Sequence, residues 1–157
     1  MWKCPQCGRS FKRKDQNHTC TLISKESLFV KRPPSLKSLF NKIEKIINSF
    51  GESRQETVKP DVIFFKTNST FLGIKVKKDH LVIEYFLDHL EETPPVFKYL
   101  QISKHRVVHM VAIDSPEDIT TQLIKWMQAS YALISKAWSS FLCLITNPPV
   151  IIMERVK

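Results

Sequence analysis

The first twenty residues constrain the chain more than any other stretch. Three of its four cysteines and one histidine fall there, as Cys4-x2-Cys7 and His18-x-Cys20. Three soft thiolates and an imidazole make a complete ligand shell for one tetrahedral zinc ion. A two-residue spacer lets both sulfurs of the first pair fold inward toward a metal about 2.3 Å away. Pro5 stiffens that loop, and Gly8 supplies a left-handed turn that aims backbone amides at sulfur. A single residue separates His18 from Cys20, against about three to five in a finger whose last ligands ride on a helix, so this pair comes from a turn or an extended segment. With Trp2, Phe11 and Leu22 as its main apolar side chains, the segment cannot fold by burial, and one structural Zn2+ is expected to order it.

Charge follows the same division. The chain of 157 residues carries a net +9; residues 1–34 hold eight Lys or Arg against two Asp or Glu, and residues 35–157 hold sixteen against thirteen. A cationic arm therefore precedes a nearly balanced body, and such an arm attracts polyanions without choosing among them. Arg9, Lys12, Arg13 and Lys14 are the candidate polyanion contacts, with DNA or RNA as candidate partners. No secretory segment and no run of eighteen apolar residues is present, so a cytoplasmic protein with no membrane partner is expected.

After a linker over 23–34, apolar residues from Leu36 to Phe50 recur at three-four spacing and predict a helix over 35–50, with Ser35 as N-cap and Gly51 as its stop. Three runs rich in aromatic and β-branched residues, 62–67, 70–76 and 81–87, predict an antiparallel meander, which a fourth strand over 106–113 closes. A short element near 96–100 has no clear type. Asp114-Ser115-Pro116-Glu117-Asp118 opens a helix, with Ser115 as N-cap, Pro116 at the first helical position and two acids in the first turn. Ile119, Leu123, Trp126, Met127, Tyr131 and Ile134 mark its core face. The fold class is thus α+β: a zinc finger over 1–22, then a domain over 35–136 with a helix, a four-stranded antiparallel meander and a long C-terminal helix packed on it. An apolar tail over 137–157 is broken by Asn147-Pro148-Pro149 and is too short to span a bilayer.

Several of these segments resemble a bacterial and archaeal family described as domain of unknown function 5655. The resemblance is carried by Trp2-Lys3-Cys4-Pro5-Gln6-Cys7-Gly8-Arg9, by Gln16-Asn17-His18-Thr19-Cys20, by the 59–64 run, and by His105-Arg106-Val107-Val108-His109 leading into the helix opening at Asp114. It covers about residues 1–135 and implies an architecture without an activity.

Enzyme signatures are scarce. Gly8, Gly51 and Gly73 are the only glycines, which excludes a P-loop and a dinucleotide fingerprint. His105 and His109 share a strand face about 13 Å apart, too far for one metal but placed to line a groove with Lys66 or Lys75. Three functions stay open: a zinc-ordered module binding nucleic acid or another polyanion, a protein-interaction adaptor using the finger and the tail, and a small-molecule-binding or catalytic domain using the His105/His109 face.

Overall fold

A computed structural model describes residues 1–18, 20, 23–58 and 60–143, with side chains up to 135. It is α+β, with two antiparallel sheets and two α-helices. The small sheet pairs β1 (Trp2–Lys3) with β2 (Ser10–Phe11). The main sheet contains β3 (Arg54–Val58), β4 (Val62–Lys66), β5 (Thr70–Val76), β6 (Leu81–Leu87), β7 (Val96–Ser103) and β8 (Arg106–Ile113), in the order β3-β4-β5-β6-β8-β7.

The sheet therefore has six strands where the apolar runs predict four. β3 escapes that pattern because it lies at an edge, and four of its five residues, Arg54, Gln55, Glu56 and Thr57, are polar. β7, the short element of uncertain type, forms the other edge with almost every residue exposed. Nor is the order a simple meander, since β7 lies outside β8 and the 88–95 connection passes over that strand.

Register sorts the side chains into two faces. Ile63, Phe65, Leu72, Ile74, Leu81, Ile83, Tyr85, Val111 and Ile113 fall in line across the strands and are buried to within 1% exposure. On this face lie α1 (Pro34–Asn48), through Leu36, Leu39, Phe40, Ile43 and Ile47, and α2 (Thr121–Cys143), through Leu123, Trp126, Met127 and Ile134. Each of these larger side chains contributes roughly 1.5–3 kcal/mol by leaving water, before conformational entropy is set against it. Phe29, from the stretch read as a linker, joins the same core and lies 5.3 Å from Phe40. The opposite face carries Phe64, Gly73, Lys75, Glu84, Phe86 and Met110.

Both helix starts differ from the expected ones. Pro34, not Ser35, opens α1; Pro33 takes the cap position without a side-chain hydrogen bond, and proline at the first helical position forfeits an N–H that has no partner there anyway. Ser115 does form a capping box with Asp118, whose carboxylate accepts from the Asp114 and Ser115 amides at 3.0 and 3.1 Å, but the box closes only a 3-10 turn, Pro116–Asp118. α2 starts afresh at Thr121, where Thr120 Oγ1 accepts from the Leu123 amide. Its backbone continues to Cys143, so the apolar tail begins inside the helix, and residues 144–157 lie outside the described part.

One irregularity is repaired by a helix. A bulge at Phe65/Lys66 shifts the β4–β5 register, and the β5–β6 pairing ends at Leu72 and Tyr85. Beyond that pair, Ser130 of α2 enters the ladder. Its hydroxyl accepts from the Phe86 amide at 2.8 Å and donates to the Phe71 carbonyl at 2.5 Å.

Candidate metal centre

The arm is a tight hairpin. Gly8, at φ +69°, lets the chain reverse after Cys7; its amide donates to the Cys4 carbonyl at 2.8 Å, and the Cys4 amide donates to the Arg9 carbonyl at 2.9 Å. This turn places Cys4 and Cys7 on one side. Asp15, also left-handed at φ 54°, helps return the chain to His18 and Cys20. Trp2, Phe11 and His18 pack their rings together, with Phe11 and His18 only 4.2 Å apart between centroids.

The four ligand atoms of Cys4, Cys7, His18 and Cys20 lie within 4.8 Å of one another. Bond lengths of about 2.3 Å to sulfur and about 2.0–2.1 Å to nitrogen imply tetrahedral edges of about 3.8 Å between sulfurs and about 3.6 Å from sulfur to nitrogen. The Cys4 and Cys20 sulfurs are 3.7 Å apart, and His18 Nε2 is 3.4 Å from Cys7 Sγ and 3.1 Å from Cys20 Sγ. The residues fit a tetrahedral metal. His18 Nδ1 donates to the Gln16 carbonyl at 2.5 Å, which fixes the tautomer and leaves Nε2 as the ligand nitrogen.

Electrostatics point the same way. A hydrogen bond from Arg9 is the main reason the Cys7 thiol is lowered to about 6. Burial pushes Cys4 up, but the amides of Cys7 and Gln6 outweigh it and lower its pKa. Cys20 is pushed up to about 11, by burial first and then by the Cys4 sulfur and the nearby negative charge. His18 is raised, chiefly through its bond to Gln16. Two sulfurs favour the thiolate while the third resists adding another negative charge, a conflict that a bound cation removes.

Arg9 also ties the arm to the sheet. Its Nε donates to Cys7 Sγ at 3.5 Å, and Nη1 donates to Glu56 Oε1 on β3 at 3.2 Å. The other Glu56 oxygen accepts from Lys66 at 2.6 Å. Glu56 has no motif around it and sits 47 residues from Arg9, so nothing in the sequence marks the pair. Lys12, Arg13 and Lys14 are exposed on the bend after β2.

The four groove candidates are not brought together. Lys66 and Lys75 lie on the helix-free face, bonded to Glu56 and Glu84. His109 lies on the helix face, fully buried, stacked on Tyr85 at 5.4 Å and accepting from the Glu91 amide at 2.9 Å; burial holds its pKa below the ordinary value. β8 begins one residue after His105, which leaves that exposed side chain in the turn. No described helix is long and apolar enough to cross a membrane.

Comparison with known proteins adds one assignment. No curated protein and no solved structure matches the chain. The profile of the family described as Domain of unknown function (DUF5655) matches residues 25–134, from the turn before α1 to the last core residue of α2, and leaves the Cys/His hairpin outside. The chain belongs to the DUF5655 family.

Proposed function

We propose that the chain is a zinc-ordered binding module, in which Cys4, Cys7, His18 and Cys20 hold one structural Zn2+ and the ordered arm presents Lys12, Arg13 and Lys14 to a polyanion such as a nucleic-acid backbone. The observation that carries this reading is the convergence of the four ligand atoms within 4.8 Å, at spacings that fit a tetrahedral ion. Three thiolates and one imidazole suit zinc among the common divalent metals. A reducing compartment such as the cytoplasm keeps those thiols available. Arg9 leaves the polyanion set, because its guanidinium is engaged by Cys7 and Glu56.

Elemental analysis of the purified chain beside the Cys4→Ser/Cys7→Ser variant tests the metal: one zinc per chain in the first and none in the second. Fluorescence anisotropy with a labelled single-stranded oligonucleotide, at several salt concentrations, tests the polyanion. Changing Lys12, Arg13 and Lys14 together to alanine should flatten the slope of log affinity against log salt by roughly 2, at about 0.7 per neutralised phosphate. An unchanged slope, or no binding at low salt, removes the polyanion part and leaves the metal part standing.

A further inference from the structure

The two edges of the main sheet are treated differently. β3 is polar, and at its centre Glu56 is clasped by Arg9 of the arm and by Lys66. β7 has neither protection. Over Val96–Ser103 its only charged residue is Lys98, while Phe97, Tyr99, Leu100 and Ile102 are 58, 45, 53 and 54% exposed. Those four are more than half of the seven large apolar side chains exposed among the described residues, gathered on one strand that has β8 on one side and no described strand on the other. A long, largely apolar edge with a single charge recruits another strand.

The geometry points to a second copy of this chain as the occupant, pairing β7 antiparallel with itself about a two-fold axis normal to the sheet and joining two six-stranded sheets into one. Charge at the strand ends selects that partner and that direction. Glu91 and Glu92 precede β7, and Lys104 and His105 follow it; Glu92, Lys104 and His105 are exposed and in no ion pair among the described residues. In an antiparallel pair centred near Tyr99, the basic turn of each copy runs beside the acidic approach of the other, whereas a parallel pair would set like charges side by side. The same centre places Lys98 opposite Leu100 of the second copy, so the two Lys98 side chains do not meet.

Covering the exposed parts of Phe97, Tyr99, Leu100 and Ile102 removes at most about 400 Å2 per copy, and backbone pairing brings the total to no more than about 1,000 Å2. That is the lower end of a specific interface, so a reversible dimer with a Kd on the order of micromolar is expected. Sedimentation velocity on the full chain, from about 1 to about 200 µM, reads it directly. The mass should rise toward that of two chains with concentration. Leu100→Lys, which sets lysines opposite Lys98 on both sides of the axis, should hold the chain at monomer mass with an unchanged circular dichroism spectrum. Glu92→Lys and Lys104→Glu should each weaken association at least several-fold, and the double exchange should restore it. A chain that stays monomeric at all concentrations, as it would if a different protein were the occupant, overturns the proposal. So does a dimer that survives Leu100→Lys, or charge variants that do not compensate.

Discussion

Removing the Ser130 hydroxyl should cost far more than its size suggests. Its oxygen sits where the next β5–β6 hydrogen bond would fall, between the Phe86 amide and the Phe71 carbonyl, at zero exposure. Ser130→Ala deletes one oxygen and leaves the part-buried Phe86 amide and the buried Phe71 carbonyl without it, at about 1–3 kcal/mol for each group left unpaired. The sum is about 2–6 kcal/mol, a large share of the roughly 5–15 kcal/mol that holds a domain folded. Urea unfolding followed by circular dichroism should show the midpoint falling with little change in slope, and Tm should drop by roughly 10 °C. Amide exchange at Phe86 should accelerate in the folded state. A loss below about 0.5 kcal/mol, as for an ordinary surface change, would refute the view that this hydroxyl completes the sheet.

Gly51 holds φ +145°, and a Cβ there would lie 2.2 Å from the Tyr131 hydroxyl oxygen, so Gly51→Ala should destabilise by at least about 1–3 kcal/mol in thermal melts, and Tyr131→Phe should recover part of that loss. Zinc loading of the metal-free chain at pH 7.4 should release the Cys20 proton, because that thiol is pushed up to about 11, but almost none from Cys7 at about 6; calorimetry in buffers of different ionisation enthalpy counts the protons. Burial alone would raise the Glu56 carboxyl, but the bonds from Lys66 and then Arg9 outweigh it and hold the pKa below the ordinary 4.5. Its contribution is therefore fully present above pH 4.5 and fades as pH falls through the lowered value, a fading that Glu56→Gln should abolish in melts taken across that range. The same variant should leave zinc content at one per chain while loosening the arm, read as faster proteolysis within residues 1–22.

The parts of the fold legible in the sequence are those whose signal is local or periodic. Leu36, Leu39, Phe40, Ile43 and Ile47 announce α1 because a helix buried on one side must repeat near 3.6 residues. β4, β5, β6 and β8 are apolar runs because they lie inside the sheet. β3 is hidden because an edge strand can be stabilised by backbone pairing with polar side chains throughout, and β7 because its apolar residues are interrupted by two bulges and, apart from Val96, stay exposed. The convergence of Cys4, Cys7, His18 and Cys20 is legible since spacing along a short hairpin nearly dictates spacing in space. Its anchor is not, because Glu56 reaches Arg9 only after the whole sheet has formed. For His105 the difference is one residue: β8 starts at Arg106, and the shared face with His109 disappears.

Two of the three tryptophans, Trp2 and Trp126, give each half of the molecule its own optical signal. Trp2 touches Phe11 and His18 inside the hairpin, whereas Trp126 lies nearly parallel to Tyr85, 5.8 Å away, beneath the sheet. With Trp138 replaced by phenylalanine, emission during chelator treatment would follow Trp2, and emission during urea unfolding would follow Trp126. A chain with such a pair of chromophores can be asked, without any added label, whether its hairpin and its body come apart together or one after the other.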